Sequence, residues 1–302
     1  MIKLGIVDCD TSHTLQFTMR HNHIPKDNNG IEEEQWVDGC QIVAAYRGVS
    51  EVVDDERLDG YVKQLSDWGI EIVDDERDLI GKVDGVLIES NQGSKHLAHA
   101  KIFMEAGLPC YIDKPFTNSA DDALAIRDLA AKYNVPFFSS SSLRYAPECV
   151  AAKAELGTIY GVDAWSPASL HPASPGLAHY GIHGVEILFT LMGAGCEAVS
   201  CAFNEEIGEV NTAKWSDGRV GVMRGTRKGS HAYGFVAWGE SEVRTSGINT
   251  AYIYRELCKQ QVQLFQTGKS PIDPNETIEL VCFMDAALES SKKGGAWVEL
   301  KK

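Results

Sequence analysis

The chain has 302 residues, 44% of them hydrophobic and 24% charged, and carries a formal net charge of −15. That length accommodates two domains of roughly 150 residues each. The acid excess excludes nucleic acid and anionic membrane surfaces as partners, because both require clustered Lys and Arg. No apolar run approaches the roughly 20 residues of a membrane span. Eight cysteines form no CxxC pair, and most lie in apolar stretches, as Cys110, Cys201 and Cys282 do. Reduced, buried thiols behave this way. Met1-Ile2-Lys3-Leu4-Gly5 runs straight into a strand without signal-peptide features, so a cytoplasmic protein is expected.

Residues 3–7 read as a strand, followed by the polar turn Asp8-Cys9-Asp10-Thr11-Ser12-His13 and a helix over about 14–22. The charged stretch 26–34, ending in Glu32-Glu33-Glu34, reads as a solvated loop. Strand 41–46, helix 58–69, short strand 71–73 and buried strand 84–89 come next. Helical periodicity over 94–106 stops at Gly107, a residue suited to the end of a helix. Cys110, Tyr111 and Ile112 are uninterrupted by polar residues and predict a buried parallel strand. Asp113-Lys114-Pro115 ends it, since proline cannot donate to a sheet ladder. Helix 119–133, capped by Ser119 with Asp121 and Asp122 in its first turn, leads to a last strand at 136–139. Such alternation means right-handed βαβ units and a doubly wound parallel sheet, a Rossmann-type domain over 1–145.

After Arg144-Tyr145-Ala146-Pro147 the pattern changes. A helix at 148–156 and a segment at 161–168 precede strands at 198–203, 212–215, 220–225, 232–238 and 242–245. Their spacing of about ten residues, with Gly-rich turns, predicts an antiparallel sheet. Helices 252–267 and 276–290 and a strand at 296–300 complete a second α/β domain over 146–302.

Two places carry chemistry. Ligands of open α/β sheets sit at the carboxyl ends of strands, which brings Lys114 within reach of one; a plain surface lysine is the alternative. The second place is His179-Tyr180-Gly181-Ile182-His183-Gly184-Val185-Glu186, ahead of the apolar Ile187-Leu188-Phe189. If helical, it puts His179, His183 and Glu186 on one face at i, i+4 and i+7. That face reads as an acid/base cluster, as a divalent-metal face with His171 upstream, or as a polar helix start with one satisfied histidine.

The strand at 3–7, Asp113-Lys114-Pro115, Arg144-Tyr145-Ala146-Pro147 and Gly181-Ile182-His183-Gly184-Val185-Glu186 occur in an order and spacing that resembles the Gfo/Idh/MocA (glucose–fructose oxidoreductase / inositol dehydrogenase) family. The resemblance covers nearly the whole chain. It implies a Rossmann domain, a second α/β domain with an open, mostly antiparallel sheet, and oligomerisation through that sheet as a dimer or tetramer. It further implies NAD or NADP as cofactor and a sugar, cyclitol or similar polyhydroxylated small molecule as substrate. Lys114 matches the lysine that contacts the reacting hydroxyl, and His183 matches the acid/base histidine. His179 and Glu186 stand where the family places supporting aspartates. Physical chemistry agrees, because a carbinol proton suits an imidazole and a developing alkoxide suits an ammonium.

The cofactor is expected along the turn Asp8, Asp10, Thr11, Ser12 and His13, beside Arg47. Glu89, Ser90, Asn91 and His96 after the 84–89 strand, with Asp113 and Lys114, are expected at its reacting end. Arg144, Tyr145, His171 and Tyr180 are the candidate substrate contacts, with Trp165 either in a carbohydrate-stacking wall or in the core. Three departures stand out. Asp8, Asp10 and His13 replace the glycine-rich turn, and a carboxylate about 6 Å from a pyrophosphate costs roughly 3 kcal/mol at an effective dielectric near 20, about a hundredfold in affinity. Helix N–H groups at Ser12 and His13 offset part of this, and turn chemistry is the other reading of both aspartates. Strand 41–46 ends without an acid for a ribose hydroxyl, so Arg47 faces either a 2′-phosphate or solvent. His179 replaces an aspartate. These departures keep open a cofactor-poor descendant with lyase, isomerase or hydrolase chemistry, with or without a metal, and a non-catalytic sugar-binding protein.

Overall fold

The computed structural model describes residues 1–301, which divide into two compact units. One comprises residues 1–117, 122–139 and 254–274; the other comprises 118–121, 140–253 and the chain from 275 on.

The first unit is built on a six-stranded sheet of order β3-β2-β1-β4-β5-β6. Its strands are β1 (Ile2–Val7), β2 (Cys40–Tyr46), β3 (Glu71–Val73), β4 (Gly85–Ile88), β5 (Cys110–Ile112) and β6 (Phe137–Phe138). Every pairing is parallel. Residues of β4 and β5 are buried throughout, which explains their unbroken apolar sequence. The order reverses between β1 and β4, the switch point at which doubly wound sheets open a ligand crevice. Helices α1 (His13–His21), α2 (Asp55–Asp67), α3 (Gly93–Glu105) and α4 (Ala120–Tyr133) link the strands. Helix α2 starts three residues before its expected position, because the Asp54 side chain caps it by accepting from the Arg57 amide and Asp55 and Glu56 fill its first turn. The acidic stretch 26–34 is not a plain loop. It forms two 3₁₀ turns, closed by Asn28 N to Pro25 O and Gln35 N to Glu32 O, which charge alone does not announce.

The second unit carries a seven-stranded sheet of order β12-β11-β7-β10-β9-β8-β13. The strands are β7 (Ile159–Pro167), β8 (Cys196–Asn204), β9 (Gly208–Trp215), β10 (Val220–Thr226), β11 (Gly234–Gly239), β12 (Val243–Gly247) and β13 (Val298–Glu299). All pairings are antiparallel except β7 with β10. Helices α5 (Pro147–Glu155), α6 (Ile182–Met192), α7 (Ile253–Thr267) and α8 (Pro274–Lys292) complete the chain. All but the first residue of α7 fold with the first unit, where Tyr254 lies edge-on to His13 and Gln261 Oε1 meets His21 Nε2 at 2.8 Å.

Helix α6 is buried along its whole length, as a helix apolar on all sides must be. It lies against β7 and β10. A Cβ at Gly184 would stand 2.7 Å from both Met223 Cε and Ser166 Oγ, so glycine there allows the helix to seat on the sheet with His183 in place. Gly184→Val is expected to lower stability by about 2 kcal/mol in urea unfolding; unchanged stability would show that α6 is not so closely seated.

Candidate functional site

In the first unit, the loop after β1 opens with Asp8 at φ +63°, a left-handed conformation that Asp tolerates better than most residues. Its carboxylate points at Gly48, where an added Cβ would fall 1.8 Å from Asp8 Oδ1. Asp8 Oδ2 accepts from Ser90 Oγ at 2.6 Å and contacts His99 Nε2 at 3.2 Å, with Lys95 Nζ at 3.8 Å. The other His99 nitrogen meets Glu76 Oε2 at 2.5 Å. Asp10 accepts from Ser50 Oγ at 2.7 Å and from the Asn91 amide at 2.8 Å. Two aspartates therefore tie together the loops after β1, β2 and β4. Arg47 is engaged elsewhere, with Asp59 at 2.7 Å and Asp55 at 2.8 Å. Its expected pairing with a 2′-phosphate competes with those two partly exposed ion pairs.

At the end of β4, Glu89 is fully buried, and neither carboxylate oxygen has a hydrogen-bond partner. Burial, and then the neighbouring Asp113, push its pKa well above the usual carboxylate range, which favours its neutral form. Asp113, at the end of β5, is the opposite case. Burial would raise its pKa, but His13 and Lys114 outweigh that and hold it at about 2. His13 Nδ1 lies 2.6 Å from Asp113 Oδ2, and Tyr111 donates to Oδ1 at 2.9 Å. His13 thus occupies a glycine position of the usual turn and makes a buried imidazole–carboxylate pair beside Lys114, itself buried. Thr11 serves the turn, its hydroxyl accepting from the His13 amide, and Ser12 holds the N-cap position of α1 without a side-chain bond. His96 is a strut, its two ring nitrogens each 2.8 Å from the backbone oxygens of Phe116 and Ser90.

In the second unit, α6 begins at Ile182, so His179 precedes it, after a 3₁₀ turn at 176–178 with Gly181 at the N-cap. His183 and Glu186 therefore lie on α6 itself, and His179 stands one short turn ahead of it in right-handed helical backbone. The His179 ring stacks on His171 at 5.0 Å. Glu186 pairs with Arg144 Nε and accepts from the Ser141 amide at 2.9 Å. Arg144 also holds Glu276 at 2.7 Å, and both carboxylates reinforce its charge against burial. Arg144 and Glu186 are thereby a buried ion pair that fixes the 141–145 turn. Burial pushes the Tyr145 phenol up to about 12. Among the described residues, no group of three or more His, Cys, Asp and Glu side chains is placed to hold a metal ion, and Glu186 is turned to Arg144 instead.

Ser141 is not among the residues that stand out in the sequence. Its hydroxyl lies 2.7 Å from His183 Nδ1. The His183 ring is flanked edge-on by Tyr180 at 5.0 Å and Tyr233 at 5.9 Å, and the two phenols touch at 3.1 Å. Both tyrosines also line a cavity of about 480 Å³ with Leu170, Glu205 and His231. Trp165 lies instead on β7, paired with Gly234 of β11. Ser141, Tyr233, His99 and Glu276 offered no local signal, because each acts on a residue distant in the chain.

The Rossmann-type unit tests its own fit to a dinucleotide. Lys95, His99, Ser90, Ser50 and the Asn91 amide form a donor set suited to phosphates, held meanwhile by Asp8 and Asp10. The orphaned acid Glu89 suits a neutral amide or hydroxyl. These residues fit the group.

No family model matches the chain, and no curated protein matches it. Solved structures do. GenD2 from gentamicin A biosynthesis, solved with NAD, is 15% identical with a TM-score of 0.79, covering 100% of this chain and 97% of its own. Scyllo-inositol dehydrogenase from Lactobacillus casei, solved with NAD(H) and scyllo-inositol, is 15% identical at 0.78 and covers 99% of both chains. Myo-inositol 2-dehydrogenase from Lactobacillus plantarum is 15% identical at 0.79, again over 99% of both. At such identities the likeness is one of fold: the chain has the two-sheet α/β fold of inositol dehydrogenases and related NAD-binding oxidoreductases, as the sequence resemblance implied.

The charged pair at Asp8 makes a pH prediction. Burial disfavours a charge on His99, but Asp8 and Glu76 outweigh it and raise its pKa from 6.5 to about 9. A folded pKa above the unfolded one gives stability that is complete below pH 6.5 and is lost as pH rises through about 9. The melting temperature is expected to fall across that window and His99→Gln to flatten the fall; an equal slope in both proteins would contradict the pairing.

Proposed function

We propose that the chain is an NAD(P)-dependent oxidoreductase of the Gfo/Idh/MocA type acting at a carbinol carbon of a sugar, cyclitol or similar polyhydroxylated small molecule. The observation that carries this reading is His183, a buried imidazole held by Ser141 and walled by Tyr180 and Tyr233 beside a 480 Å³ cavity. Inositol dehydrogenases that share the fold support the substrate class, and the NAD named with two of the neighbours supports the cofactor.

His183 acts as base in its neutral form, carrying its proton at Nδ1, where Ser141 Oγ accepts it. Proton exchange with the substrate hydroxyl then falls to Nε2. Lys114 stabilises the developing alkoxide, as an ammonium in a water-poor site does well. A tyrosine pair suits the apolar face of a sugar ring, and the His171 and His179 stack extends that side of the unit. Lys95, His99 and Ser90 would hold the dinucleotide's phosphates, with Glu89 and Asp113 at its reacting end. When bound, NAD(P) supplies the acceptor for the carbinol hydrogen.

The protein is read as a cytoplasmic homo-oligomer. Its eight cysteines are all free and buried, which suits a reducing compartment. Exposed Tyr160, Val220, Trp238 and Val243 on neighbouring strands of the second sheet suit a subunit contact. No helix among the described residues is long and apolar enough to cross a membrane.

His183→Ala is expected to lower polyol-dependent NAD(P) reduction by about 10²- to 10⁴-fold with unchanged NAD(P)H affinity. Turnover at the wild-type rate would remove His183 from the mechanism. Failure of the wild-type protein to bind NAD(P)H at millimolar concentration would favour lyase or isomerase chemistry on the same scaffold.

A further inference from the structure

We propose that the Asp8 carboxylate is a built-in occupant of the phosphate seat in the first unit, so that a dinucleotide binds only in competition with this side chain. The proposal rests on the NAD(P) reading above and specifies how the site is regulated.

The argument starts with position. Asp8 stands at the carboxyl end of β1, the first turn of a doubly wound sheet, where a dinucleotide's pyrophosphate meets the N-terminus of the next helix. The chain places a buried carboxylate there, 1% exposed. It does so in a left-handed backbone conformation, φ +63°, that only a few side chains adopt without strain. The loop after β2 supplies a matching hollow, since Gly48 leaves the space that Asp8 Oδ1 fills.

The partners point the same way. A hydroxyl from Ser90, an imidazole from His99 and the Lys95 ammonium converge on one carboxylate oxygen at 2.6, 3.2 and 3.8 Å. Two cationic groups and a hydroxyl from one segment, 90–99, are a donor set characteristic of phosphate recognition. An internal anion satisfies them here. Asp10 does likewise next door, taking the Ser50 hydroxyl and the Asn91 amide. The three loops are thus cross-linked by side-chain carboxylates, and each bond to Asp8 would be exchanged for one to phosphate when a dinucleotide binds. Glu76, bonded to the far nitrogen of His99, keeps that ring oriented during the exchange.

Asp8→Asn removes the charge while keeping shape and tolerance of the left-handed turn, and Asp8→Gly also empties the hollow. Fluorescence titration of NADH and NADPH onto the full-length protein, with folding of each variant verified by its thermal transition, gives the test. Kd is expected to fall about tenfold or more in Asp8→Asn and further in Asp8→Gly, given removal of one charge close to a phosphate. Binding gained only in the variants also supports the proposal, while counting against NAD(P) as the wild-type cofactor. A folded Asp8→Asn protein whose Kd is unchanged or weaker overturns the proposal and leaves the oxidoreductase reading standing. No binding by any of the three proteins overturns both.

Discussion

A carboxylate removed from water needs a cation or hydrogen-bond donors, and this constraint arranges the functional ends of both units. Asp8 recruits His99, Lys95 and Ser90 across the switch point of the parallel sheet. Asp113 recruits His13 and Tyr111 next to Lys114. Glu186 recruits Arg144 and the Ser141 amide, and so places the hydroxyl that holds His183. Glu89 has no cation beside it, and burial pushes it toward its neutral form. The catalytic candidates are thus fixed by charge pairing, where a glycine-rich Rossmann turn would be fixed by backbone alone.

Much of the architecture was legible because local pattern and tertiary packing agree. The bounds of β3 and β5 match the expected 71–73 and 110–112, since Glu71 opens one at a turn and Pro115 stops the other. The α/β alternation gave the parallel sheet, and regular Gly-rich turns gave the antiparallel one. Helix α6 starts later than a helix running from His179 would, because a 3₁₀ turn at 176–178 and Gly181 at the N-cap precede Ile182. Residues 254–274 return to the first unit, which no local pattern announces.

Candidate site residues stand out in the sequence where a motif holds them and are hidden where a distant partner does. Lys114, His183 and the acidic turn stand out in the sequence by context. Ser141 acts on a histidine 42 residues away, and Asp8 meets His99 across 91 residues. Arg144 and Glu186 looked like substrate and catalytic groups, yet they form one buried pair. Sequence patterns report faces of single elements; pairings between elements appear only once the sheet brings loops together.

The fold is shared with inositol dehydrogenases, but the turn after β1 carries Asp8 and Asp10 where a glycine-rich turn is expected. Whether the protein transfers hydrogen from a carbinol carbon to a nicotinamide is the question that decides the account. Incubating the wild-type protein with NAD or NADP and a panel of inositols and aldoses deuterated at the carbinol carbons, then measuring deuterium in the nucleotide, addresses it directly. Deuterium in NADH or NADPH is the predicted result. Altered polyols with no label in the nucleotide would contradict it.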